Sequence, residues 1–204
     1  MSGAAAPRLA PVPREAWGDD EVQALRVGFS DDVAKRFAAT GDDAPPVPNV
    51  LGTLLHHPGL AGPFLAYNNV LLQSPTLEPR HRELMVLRVA WRTRSRYEWV
   101  QHCRLALRLG ITTDEIAAVA DGPAVEWPAL EAALIDATDQ LVDGYRVDDD
   151  TWKRLAEQLD ERRLVELVFV VGTYVGLAMA FNSFGLQVDP DLQEFNRTLP
   201  EFEE

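Results

Sequence analysis

At 204 residues with 47% apolar side chains, the chain is long enough for one domain with a sizeable core. Its formal net charge of −13 argues against non-specific binding to nucleic acid or to an anionic membrane surface. Cys103 is the only cysteine, which rules out an internal disulfide and suits a reducing, cytoplasmic setting.

The Ala- and Pro-rich residues 1–16 lack the continuous apolar core of a signal peptide and read as a flexible tail. Residues 17–48 read as a helical extension. Helices are expected over Asp20–Gly28 and over Ser30–Ala39, the second capped by Ser30. The dense prolines between Gly41 and Pro48 predict a loop. Residues 49–189 then alternate helices with short connectors. Asn49 caps a helix to His57, and Pro58-Gly59 interrupts it. A longer helix runs to Gln73, and Ser74-Pro75-Thr76 separates it from the next. Pro79 suits the first turn of a helix ending at Ala90. A helix from Ser95 stops at Gly110.

Thr112-Thr113-Asp114-Glu115 is a capping box for a helix to Ala120. Asp121-Gly122-Pro123 is a turn. Helices follow from Pro128 to Gly144, from a cap at Asp149 or Asp150 to Leu159, and from Asp160 to Ser183. The run Leu167–Phe181 is apolar but falls short of the ~20 residues of a spanning helix, so it reads as a buried core helix with no membrane role. Residues 190–204 form a C-terminal tail. No segment shows sustained period-two alternation, so the chain is all-α, a single-domain multi-helix bundle. Arg82–Val86 and Val165–Phe169 share a Glu-Leu step, a weak signal of an internal helical repeat.

Ser95, Glu98 and His102 are spaced three and then four apart, which puts them on one helix face. Glu83 lies on the preceding helix, on the face of Leu84, Leu87 and Ala90. His102 shares its own face with Leu105 and Ala106. Two ionisable groups on inward faces need each other or a cavity. A carboxylate beside an imidazole is an acid/base arrangement, because imidazole is the side chain that ordinarily titrates nearest neutral pH. Ser95-Arg96-Tyr97-Glu98 reads equally as an S-x-x-E capping box, which would give Ser95 and Glu98 a purely local role. Both readings stand on spacing alone.

Arg82-Glu83-Leu84-Met85-Val86-Leu87-Arg88-Val89-Ala90, followed by Tyr97-Glu98-Trp99 and His102, resembles the carboxymuconolactone decarboxylase family, which includes alkyl hydroperoxidase D-like proteins. The peroxidase branch of that family carries a Glu, a Cys-x-x-Cys pair and a His four residues on. Glu83, Ser95, Glu98 and His102 fall in that register, with Ser95 and Glu98 in place of both cysteines. The thiol chemistry therefore does not carry over. The resemblance implies an alkyl hydroperoxidase D-like bundle and a homo-oligomer, and among proton-transfer reactions it suggests decarboxylation. Independently, Leu167–Phe181 is apolar all round, more than one small domain readily covers, and Gly172 and Gly176, four apart, would let another helix approach closely, which also predicts a homo-oligomer.

The expected catalytic group is thus His102, Glu83, Glu98 and Ser95. Residues 80–108 also hold eight arginines against two acids. Such a segment in an acidic protein suits either an anionic substrate or ion pairs with acidic helices. Arg88, Arg92, His57 and Tyr97 are the substrate-binding candidates, although Tyr97 also suits a core aromatic and His57 a helix end. Cys103 reads as a small buried residue. Glu98 and His102, four apart, are spaced to share a metal with Glu83, but no matching second motif accompanies them, and neither metal nor cofactor is expected. The function expected is a cofactor-independent acid/base enzyme acting on a small carboxylated or lactone-like molecule by decarboxylation, isomerisation or elimination. The alternatives are an alkyl hydroperoxidase-like antioxidant protein and a non-catalytic oligomeric scaffold.

Overall fold

The computed structural model describes residues 6–41, 44–73, 76–122 and 125–202, and caps and prolines divide these described residues into eleven α-helices. They are α1 (Asp19–Gly28), α2 (Asp31–Ala38), α3 (Asn49–Leu54), α4 (Pro58–Gln73), α5 (Pro79–Arg92), α6 (Arg96–Arg108), α7 (Thr113–Asp121), α8 (Ala129–Gly144), α9 (Asp149–Ala156), α10 (Glu161–Phe184) and α11 (Gln193–Asn196). Among the described residues there is no strand, and the fold is all-α as expected. The tail at residues 1–5, Asp42 and Asp43 of the expected loop, the Ser74-Pro75 break, Pro123 and the last two glutamates lie outside the described residues.

The helices sort into two compact units, residues up to 74 with 183–189, and residues 75–182 with 190–204. In the first, α1 packs on α4. Gly28 permits this, since a Cβ there would stand 2.4 Å from that of Leu65. Leu25, Leu51, Leu55, Ala61 and Leu65 form its core. The flexible tail expected over 1–16 is not what residues 6–16 form. The Arg8 and Leu9 amides donate to Phe184 O at 2.8 and 3.1 Å, the Val12 amide donates to Gly52 O at 3.0 Å, and Arg14–Ala16 makes a 3-10 turn. Proline content masked this, because the partners lie far away in sequence. The Asn49 cap is likewise replaced. Asn49 is the first helical residue of α3, and its amide donates to Asp189 Oδ1 at 2.7 Å.

In the second unit α5 is the hub, packed against α6, α7 and α8. Every residue from Arg82 to Ala90 is buried. Leu84, Leu87, Trp99, Cys103, Ile111 and Val119 meet in its core. The C-terminal segment is no loose tail. Phe195, Leu199 and Phe202 pack on that core, and Arg96 Nε donates to Asn196 Oδ1 at 2.7 Å. Of the two capping boxes, only Thr112–Glu115 forms, with the Glu115 amide donating to Thr112 Oγ1 at 3.2 Å and the Thr112 amide to Glu115 Oε2 at 2.8 Å. Asp148, one residue earlier than expected, caps α9 through the Thr151 amide at 2.7 Å.

The long apolar helix is not wholly buried. Leu164, Leu167, Val170, Val171, Tyr174, Leu177, Ala178 and Phe181 face inward, whereas Val165, Phe169 and Met179 are exposed. By length and composition α10 could cross a membrane; eight of its residues are buried against the rest of the protein, and its half-buried Glu166 accepts from the Thr76 and Leu77 amides at 2.7 and 3.3 Å.

Candidate active site

A tight turn creates the site. Thr93 Oγ1 donates to Val89 O at 2.7 Å, Arg94 takes a left-handed conformation (φ 53°), and the Ser95 amide donates back to Ala90 O at 2.9 Å. The chain reverses within three residues and lays α6 along α5. Glu83 and His102 then meet across the two helices. Glu83 Oε2 and His102 Nδ1 are 2.7 Å apart, with Glu83 wholly buried and the His102 side chain 12% exposed. Burial alone would raise the Glu83 pKa. His102 and then Arg82, whose Nε donates to Glu83 Oε1 at 2.9 Å, outweigh it and hold the carboxyl below its ordinary value. An ionised Glu83 only accepts, so Nδ1 carries the shared hydrogen, and in the neutral imidazole the lone pair is the one on Nε2.

Tyr174 of α10 covers the imidazole edge-on, its ring centroid 4.9 Å away. Burial, then the Glu83 charge, and more weakly that of Glu98, push its phenol up, with Arg82 opposing. Neither Arg82 nor Tyr174 was among the expected site residues. Arg82 stood inside the motif as Glu83's neighbour, but Tyr174 lay in an apolar run that gave no sign of chemistry.

Ser95 and Glu98 are where the two sequence readings part. Ser95 sits at the N-cap position of α6, but its side chain makes no capping bond. The capping-box reading therefore fails. Glu98 is 2% exposed, and neither its carboxyl oxygens nor the Ser95 hydroxyl has a hydrogen-bond partner among the described residues. Burial pushes the Glu98 carboxyl up to about 8, and the Ser95 hydroxyl, near it but short of hydrogen-bond geometry, opposes this only in part.

The remaining candidates go elsewhere. Arg88 is not free for a substrate: Nε and Nη2 grip Asp139 at 2.7 and 2.8 Å, and Nη1 donates to the carbonyls of Val119 and Ala120 at 2.8 and 2.7 Å. Arg92 pairs with Asp139 at 2.6 Å and Asp143 at 2.7 Å. The ion-pair alternative for the arginines holds for both. Tyr97 is buried with its ring 5.3 Å from that of Phe181. His57 belongs to the first unit, where Nδ1 accepts from the Leu60 amide at 3.2 Å and so caps α4. Burial pushes the Cys103 thiol up, with Arg96 opposing. Among the described residues no group of three His, Cys, Asp or Glu is placed to hold a metal. A cavity of about 280 Å³, lined by Trp91, Arg94, Ala120, Asp121 and Phe202, contains none of the expected site residues.

The all-helical frame that carries this buried Glu–His pair has the alkyl hydroperoxidase D-like fold. Residues 58–139 match the model of the Carboxymuconolactone decarboxylase family, here without the cysteine pair. Solved structures share the fold. An uncharacterised peroxidase-related protein from Silicibacter sp. TM1040 aligns at TM-score 0.73 and 14% identity, covering 100% of each chain. An uncharacterised peroxidase-related protein with an alkylhydroperoxidase AhpD core, from Ralstonia eutropha JMP134, aligns at 0.70 and 20%, covering 96% of this chain and 100% of that one. The debrominase Bmp8, in complex with 2,3,4-tribromopyrrole, aligns at 0.70 and 12%, covering 94% and 97%. No match was found among curated proteins.

Proposed function

We propose that the protein is a cofactor-independent acid/base enzyme acting on a small molecule, with His102 Nε2 as its base. The observation that carries this reading is the buried 2.7 Å bond from His102 Nδ1 to Glu83. Glu83 fixes the tautomer, orients the ring and offsets the charge that the imidazole gains on taking a proton, while Arg82 keeps Glu83 ionised. Decarboxylation, isomerisation and elimination all pass through a carbanion-like or enol species that such a pair can serve. The match of residues 58–139 to the Carboxymuconolactone decarboxylase family supports a lactone-like substrate. The exposed apolar stripe of α10 supports a homo-oligomer.

The test is proton exchange and turnover on a panel of small lactones and their carboxylated analogues, followed by NMR in D₂O. His102→Gln should lower the rate by about 10²-fold or more with the helical circular dichroism unchanged. Glu83→Gln should also slow it by impairing the tautomer. A rate untouched by His102→Gln, or a panel on which the protein does nothing, would sink the proposal.

A further inference from the structure

Glu98 and Ser95 are the polar groups of this cluster that the base does not use. Both are buried on the His102 face of α6, one and two turns before that residue. Leaving a carboxyl and a hydroxyl in a protein interior with no partner costs free energy comparable to several lost hydrogen bonds. The local role that would have offset this cost, the capping box, is not formed. A cost of this kind persists where a ligand supplies the missing partner.

The kind of partner follows from what surrounds them. Arg82 and Glu83 of α5 and Tyr174 of α10 face this cluster, with His102 on the same helix. Arg82 is bound to Glu83, Arg88 and Arg92 to Asp139 and Asp143, and Arg96 to Asn196. These guanidinium groups are thus committed, and Arg94, beside Ser95, is exposed and lines the separate cavity with Trp91 and Phe202, so a substrate carboxylate would find a buried carboxyl instead of a counter-charge. Glu98 is 2% exposed with no cation among the described residues paired to it, and burial of this kind favours the neutral carboxyl. A protonated carboxyl and a hydroxyl are both donors, and they complement an acceptor without charge.

Resting on the reading of His102 as base, we infer that Glu98, as a neutral carboxylic acid, and Ser95 form a donor pair for the carbonyl oxygen of an uncharged substrate, so that the site selects ketones, lactones or esters over carboxylates. His102 Nε2 takes a proton from the carbon beside the carbonyl. The C–H pair moves into the new C=C bond, the carbonyl π pair moves to oxygen, and Glu98 gives its proton to that oxygen. The imidazolium then returns its proton to the same carbon, which gives exchange, or, where the substrate carries a C=C bond β,γ to the carbonyl, to the γ carbon as the dienol π pairs shift; in both cases Glu98 regains its own proton from the oxygen as the C=O bond re-forms. With such an unsaturated substrate the sequence is an isomerisation, balanced without any co-reactant.

The probes are cyclohexanone and cyclohexanecarboxylate, titrated by NMR into the full chain and into Glu98→Gln, Glu98→Leu and His102→Gln. The ketone should bind, and the carboxylate about tenfold more weakly or worse. Glu98→Gln keeps an N–H donor and should hold the ketone within about threefold. Glu98→Leu, which removes an uncompensated buried polar group and should fold well, should weaken it about tenfold. Infrared spectra should show a protonated-carboxyl band at neutral pH that Glu98→Gln removes and that titrates near pH 8. A preference for the carboxylate, equal binding by Glu98→Gln and Glu98→Leu, absence of ketone binding, or absence of that band would each overturn the donor pair. His102→Gln should leave ketone binding in place while abolishing exchange. Loss of exchange alone therefore reports on the base, and loss of binding in Glu98→Leu on the donor.

Discussion

Glu83 and Glu98 are buried carboxyls on adjoining helices, and their environments drive them in opposite directions. Glu83 is held below its ordinary value, so its stabilising effect is complete above the unfolded-state pKa and fades as pH falls through the folded one. Glu98 is raised from 4.5 to about 8, so the native state holds a proton that the unfolded state has released, and stability falls as pH rises between those values. Glu98→Gln should therefore flatten the alkaline side. Urea unfolding at pH 8.5 should give a variant more stable than the parent by on the order of 3 kcal/mol, with a smaller difference at pH 5. Parallel profiles would show that Glu98 is ionised in the native state.

A second residue-scale prediction concerns Gly122, whose φ of +61° places it where side chains are strained, and whose added Cβ would stand 2.3 Å from Arg88 Nη2. Gly122→Ala should cost about 2 kcal/mol or more by pushing Arg88 off the α7 carbonyls, and an unchanged unfolding midpoint would refute that. Glu83 and His102 were legible in sequence because each sat on an apolar helix face. Ser95 and Glu98 were legible only as a choice between two roles, since a capping box and a buried donor pair share one spacing and differ only in tertiary burial. Arg88 and Arg92 were misread as substrate ligands because Asp139 and Asp143, which neutralise them, stand 51 residues away.

Helix spans were legible wherever a proline, a glycine or a capping residue acts locally. Pro79 at the start of α5, Gly110 (φ +82°) after α6 and the Thr112–Glu115 box all behave as their chemistry dictates. Long-range caps were not legible: Asp189 serves α3 from 140 residues away. The end of α8 shows a subtler miss. Gly144 remains helical, and the left-handed residue that ends α8 is Tyr145 (φ 59°), with 81% of its surface exposed. A tyrosine in that conformation is strained, and this one buries little in return. Tyr145→Gly should stabilise the fold by about 0.5–1 kcal/mol, read as a higher unfolding midpoint. A lower midpoint would mean that the exposed ring has a role the isolated chain does not reveal.

For the molecule as a whole, a net charge of −13 makes copies repel, so self-association requires an apolar surface strong enough to overcome it. Helix α10 offers one. Val165, Phe169, Gly172, Gly176 and Met179 recur at intervals of four and three and form a single exposed stripe. Nothing lies within 4 Å of where a Cβ would stand at either glycine, so a second helix can approach closely there. The stripe also complements itself: an antiparallel pairing about position 174 sets Phe169 against Met179 and Gly172 against Gly176, the arrangement a two-fold dimer needs. Sequence reading anticipated an oligomer from this run, but hydrophobicity all round a helix does not say which face the rest of the chain covers. Sedimentation at micromolar concentration should show a dimer or larger species. Added salt should tighten it by screening the repulsion. Phe169→Glu and Gly172→Leu change only exposed positions, so both should release folded monomer with the Glu83–His102 pair intact. A monomer at every concentration and salt, or an oligomer indifferent to both substitutions, would show that α10 does not carry the association.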